Sequence, residues 1–60
     1  MRYVCTEDDD DVLTLFFHHN KTVLQITDEL YDETMDVFLS KDDVQRLIND
    51  LKTCLENMED

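Results

Sequence analysis

Val12-Leu13-Thr14-Leu15-Phe16-Phe17-His18-His19-Asn20-Lys21-Thr22-Val23-Leu24-Gln25-Ile26-Thr27 is the stretch whose reading decides the fold. Residues 12–18 are aliphatic, β-branched or aromatic, which suits a half-buried pleated strand. His19-Asn20-Lys21 interrupts the run as a hairpin turn, with Asn20 the residue best able to take a left-handed conformation. Thr22 to Thr27 then resumes as a second strand. Side chains alternate across a strand, so Leu13, Leu15, Phe17, Leu24 and Ile26 share one face. Val12, Phe16 and Val23 share the other.

Outward from this hairpin the same period continues. Met35, Val37 and Leu39 alternate with Asp36 and Phe38, giving a third strand, and Tyr3-Val4-Cys5 adds a short edge strand. Residues 28–34 fit a helical turn through Leu30, Tyr31, Thr34 and Met35 as well as they fit strand or turn. At Ser40 the period changes. Val44, Leu47, Ile48, Leu51, Cys54, Leu55 and Met58 recur at steps of three and four, one apolar face of a helix over 41–58. Ser40 is its N-cap, with Asp43 as the capping-box acid and Leu39 and Val44 as a hydrophobic staple. The expected fold class is therefore α+β. It is an antiparallel meander of three or four strands with one C-terminal helix packed on one face (β-β-β-α), in a single small domain over residues 1–60. Leu15, Phe17, Leu24, Ile26, Val37 and Leu39 are expected to meet the helix stripe along its length.

One helix cannot cover both faces of a sheet. The far face, built on Phe16, Val23 and Phe38 and bordered by Thr14, Thr27 and Asp36, needs another cover. Either Tyr3, Val4 and the 28–34 segment fold over it, or a second copy or a target protein does.

Composition bounds function more sharply than fold. Sixteen Asp and Glu stand against five Lys and Arg, a formal net charge of -11. This excludes direct binding to nucleic acid or an anionic membrane and points to a basic protein partner. Three groups stand out among the acids: Glu7, Asp8, Asp9, Asp10 and Asp11; then Asp28, Glu29, Asp32, Glu33 and Asp36; and finally Glu56, Glu59 and Asp60. The first two groups, with Phe16 and Phe38 as apolar anchors, are the expected partner-binding residues.

Other chemistries lack their parts. The chain has no Gly and no Pro, so it has no glycine-rich phosphate loop, and its acids lack the turn glycine and final Glu of a calcium-binding EF-hand loop. His18 and His19, adjacent on a strand, point to opposite faces and cannot share a metal. No metal, cofactor or catalytic residue is expected, and the protein is read as non-enzymatic. Cys54 continues the helix stripe and reads, like Cys5, as a reduced thiol, with Cys54 in the core. With no secretory signal and no apolar run of about 20 residues, the expected location is the cytoplasm.

A compact domain of this length is about 25 Å across, and duplex DNA of that length carries about 15 charges, close to the chain's own. In composition and size the chain resembles the small acidic proteins encoded by phages and other mobile elements, some of which inhibit host DNA- or RNA-processing enzymes. That resemblance implies an inhibitor or modulator that mimics DNA or RNA on a basic surface in the host cytoplasm. It transfers no residue. The alternative is a small homodimeric structural or regulatory adapter joined through the far face, or an antitoxin-like protein, whose acidity serves only solubility.

Overall fold

Period-two alternation and strong β-formers produce four strands in sequence order, followed by one helix. The computed structural model describes residues 1–59. Strands β1 (Arg2–Val4), β2 (Asp11–His18), β3 (Lys21–Asp28) and β4 (Glu33–Leu39) form one antiparallel sheet in the order β1-β2-β3-β4, and α1 spans Lys41–Asn57. The expected α+β meander with a C-terminal helix is the observed architecture. Met1 prolongs the β1 edge by exchanging both backbone hydrogen bonds with Leu15, at 2.7 and 2.9 Å.

The β2–β3 connection is tighter than the sequence suggested. His18 pairs with Lys21, leaving only His19 and Asn20 in the loop, with φ of 48° and 61°. Positive φ at both central residues is the type I′ geometry whose twist matches the flanking strands. Because His19 has left the strand, the two imidazoles do not diverge to opposite faces. They meet edge to face with centroids 4.0 Å apart. Of the ambiguous segment 28–34, Asp28 ends β3, residues 29–32 form a turn, and Glu33 and Thr34 open β4, with no helix. Asp28 Oδ1 accepts hydrogen bonds from the Leu30 and Tyr31 N–H groups, and Asp32 takes φ 54°. Such a side-chain turn supplies what glycine and proline would otherwise provide.

The helix begins as its cap predicts. Ser40 Oγ accepts from the Asp43 N–H at 3.1 Å, and the Asp43 carboxylate accepts in return from the Ser40 N–H. Its packing is a different matter. The backbone of α1 approaches β3 and β4 but neither β1 nor β2. Val44 and Leu47 are half-buried, while Ile48, Leu51, Cys54, Leu55 and Met58 are all exposed. Cys54 is thus an exposed free thiol, not a core residue, and Cys5 is exposed too. Between the helix and β4 lies an open groove of about 740 Å³, lined by Leu24, Val37, Leu39 and Leu47 among others.

Strand register sorts the sheet into two faces. The inner face, toward the helix, carries Tyr3, Leu13, Leu15, Phe17, Leu24, Ile26, Met35, Val37 and Leu39. Of these only Leu15, Leu24 and Leu39 are even half-buried, and Met35 is 66% exposed. Phe17, Ile26 and Val37, expected to be covered by the helix, are exposed. Burial is instead deepest on the far face, where Val12 (4%) and Val23 (1%) are the two buried side chains among the described residues. Val12 lies in the cross-strand row Val4-Val12-Thr27 and Val23 in the row Phe16-Val23-Phe38. Val23 is the short middle member between two larger rings, and Phe16 and Phe38 stay exposed. The 28–34 turn does not cover these rings, since Leu30 and Tyr31 are themselves exposed at the opposite end of the sheet.

Candidate acidic interface

A meander places the start of β2 and the end of β3 at the same end of the sheet. The two acidic segments, 21 residues apart in sequence between Glu7 and Asp28, therefore meet. Asp11 pairs with Asp28 and Asp28 with Glu33, so three carboxylates stand side by side across neighbouring strands. The β1–β2 loop adds Glu7, Asp8, Asp9 and Asp10, and the β3–β4 turn adds Glu29 and Asp32. The two connections are tied directly, because the Glu29 N–H donates to the Asp10 carbonyl at 2.8 Å. Nine of the ten expected acids gather at this end. Asp36 lies apart, midway along β4 on the far face, where it accepts a hydrogen bond from Gln25 Nε2 at 2.9 Å.

The nine are not equivalent. Asp8 holds the loop by accepting from the Asp10 N–H at 3.0 Å, and Asp28 holds the turn as described. Glu29 pairs with Arg2 at 2.8 Å. The other ion pair among the described residues is Arg46–Asp43, on the helix. Both are exposed, so each contributes at most about 1 kcal/mol. The remaining carboxylates at this end have no cation within 4 Å among the described residues. They are available to an outside partner.

Like charges directly opposite one another destabilise a sheet. Asp10 and Asp11 are pushed above the ordinary carboxylate value of 3.8, by partial desolvation first and then by the neighbouring charges, chiefly Asp8 with Asp9 and Asp28. A carboxyl raised in this way binds its proton more tightly in the folded state. Its ionised form costs the fold stability at neutral pH, and that cost is relieved as pH falls through the raised value. Asp43 behaves oppositely. Hydrogen bonds from Ser40 and then the Arg46 guanidinium hold it below 3.8. Its capping contribution is complete above 3.8 and is lost only as pH drops through the lowered value. Thermal melts should therefore show Tm rising as pH falls toward the ordinary carboxylate value of 3.8, then falling in stronger acid as Asp43 is protonated. A Tm that declines steadily below neutrality would contradict the crowding of these acids.

Asp8, Asp9 and Asp10 bring carboxylate oxygens within 4.8 Å of one another. Three such oxygens fall short of the six to eight that calcium takes, and Asp8 is already committed to the backbone. What this loop offers is charge.

Phe16 and Phe38 are not part of the acidic end. Phe16 is five residues along β2 from Asp11, about 17 Å at strand rise. Instead Leu30 and Tyr31, both exposed at the tip of the β3–β4 turn, stand among the acids. The sequence reading missed them as candidate anchors because a helical turn would have placed them differently. The signal was Asp28, whose side chain can close a turn over the next residues and hold the apolar pair outward.

The chain was compared with protein-family models, with curated proteins and with solved structures, and none matches.

Proposed function

We propose that the chain is a non-enzymatic acidic binding protein whose sheet end occupies the nucleic-acid-binding surface of a basic protein, as an inhibitor or modulator of phage type. The observation that carries the reading is the convergence of nine carboxylates on one end of a four-stranded sheet. That end spans three interstrand spacings, about 14 Å, over which duplex DNA carries about 8 charges. The local charge density is thus that of the ligand it would replace. Charge sets approach rate and orientation more than affinity. Leu30 and Tyr31 supply apolar contact beside the charges, a closer anchor than Phe16 or Phe38.

The test is retention of proteins from nuclease-treated extract of the cells that naturally make the chain. Captured proteins should bind nucleic acid and be released by excess duplex DNA. For the purified target, the association rate should fall on the order of 100-fold between dilute buffer and about 1 M salt, where the screening length is about 3 Å. Binding indifferent to both salt and DNA would refute the reading.

A further inference from the structure

The chain exposes far more surface than its mass requires. A folded monomer of 7.2 kDa has about 4,100 Å² accessible, whereas this one has 5459 Å², an excess of about 1,300 Å². Its radius of gyration is 13.1 Å against about 10 Å expected for 60 residues. The excess has a specific origin. The inner sheet face displays Tyr3, Leu13, Ile26 and Met35, the second half of α1 displays Leu51 and Leu55, and Met58 follows at the helix C-cap. These surfaces complement each other in kind, an apolar stripe and an apolar sheet. They do not cover each other within the chain: α1 reaches neither β1 nor β2, and Ile26 and Met35 stay exposed on β3 and β4.

We propose that a second copy of this chain supplies the missing layer. Two copies pair about a two-fold axis, each laying the C-terminal half of α1 and its inner sheet face against the same elements of the other. A two-fold interface must be self-complementary, and one chain here carries both halves of the match. The area agrees: an excess of about 1,300 Å² per copy is about 2,600 Å² in total, within the 2,000–5,000 Å² typical of permanent homodimers.

Charge selects the orientation. From the Leu13-Ile26-Met35 row to the Phe17-Thr22-Leu39 row, the inner face of the sheet holds no acidic or basic side chain. Its acids are confined to the terminal row of Asp11, Asp28 and Glu33. Toward the opposite end of the inner side lies Lys41, at the start of α1, while Lys21 at that end shares the far face with Val23. A two-fold that runs the paired strands in opposite directions sets the acidic end of one copy over the lysine-bearing end of the other. The reverse arrangement would press nine carboxylates against nine. This dimer uses neither Phe16 nor Phe38.

Sedimentation equilibrium should give about 14 kDa at micromolar concentration, and Tm should climb across a 100-fold range of protein concentration, since dimerisation stabilises the fold by mass action. A mass of 7.2 kDa with a concentration-independent Tm overturns the proposal. Leu55→Gln and Met35→Gln should each weaken the dimer by about 10-fold or more, while Phe38→Gln on the far face leaves it intact. Dissociation by Phe38→Gln alone would move the interface to the far face and overturn the proposal as well. Should the inner-face variants unfold, wild-type protein mixed from isotope-labelled and unlabelled chains still decides. Intermolecular NOEs from Leu55 or Met58 methyls to Ile26 or Met35 are expected, and a dimer without them is not this one.

Discussion

Replacing Asp10, Asp11, Asp32 and Glu33 with their amides should yield a protein that melts several degrees above wild type yet binds its basic target about 100-fold or more weakly. The four are chosen because none holds the fold. Asp8 and Asp28 accept backbone N–H groups and Glu29 pairs with Arg2, so those three stay. Asp32 has φ 54°, which Asn tolerates as well as Asp does. Stability should rise because Asp11 faces Asp28 and Glu33 faces Asp28 across the strands, and because the ionised forms of Asp10 and Asp11 oppose folding at neutral pH. Affinity should fall because each charge-assisted hydrogen bond lost to a partner's Lys or Arg costs about 10-fold or more. Opposite movements of the two quantities mark acids kept for binding at a cost to the fold. Unchanged affinity in this variant would reduce them to solubilising charge. A loss of both together would mean that they serve the structure.

The elements were legible in the sequence because each carries a period and a boundary. Alternation marks β2, β3 and β4, the 3–4 spacing from Val44 onward marks α1, and Ser40 with Asp43 marks the switch between them. The convergence of the acidic segments follows from the meander itself, once the hairpin at His19-Asn20 is recognised. Two features were not legible. Residues 28–34 carry an apolar spacing that suits a helical turn, and only the Asp28 side chain, bonding the Leu30 and Tyr31 N–H groups, decides for a turn. The extent of helix packing was hidden for a different reason. Periodicity shows which side of Leu51 or Leu55 is apolar, not whether the same chain covers it. An inner sheet face and a helix stripe read identically in a closed monomer and in half of a dimer. The exposed aromatic pair expected to draw a partner lies on the far face, while most of the uncovered apolar surface lies on the inner one.

Val23→Asp should abolish the cooperative fold. Val23 is 1% exposed, on a central strand, between Phe16 and Phe38. A carboxylate there has no cation in its row, and its desolvation costs several kcal/mol, comparable to the 3–5 kcal/mol that a core of this size supplies. Val23→Thr, which adds only a hydroxyl to the same shape, should cost about 1–3 kcal/mol and remain folded in the cold. Far-UV circular dichroism and amide chemical-shift dispersion separate these outcomes, and a well-dispersed spectrum for Val23→Asp would show that the Phe16-Val23-Phe38 row is not the core. The variant also discriminates on function. It carries one acid more than wild type and retains all nine of the others in its sequence, so a partner that responds to net charge alone should bind it at least as well. A partner that reads the carboxylates as an ordered row needs residues 5–11 and 28–33 held together by the strands between them. For such a partner the unfolded chain, more negative than the native one, should be the weaker ligand.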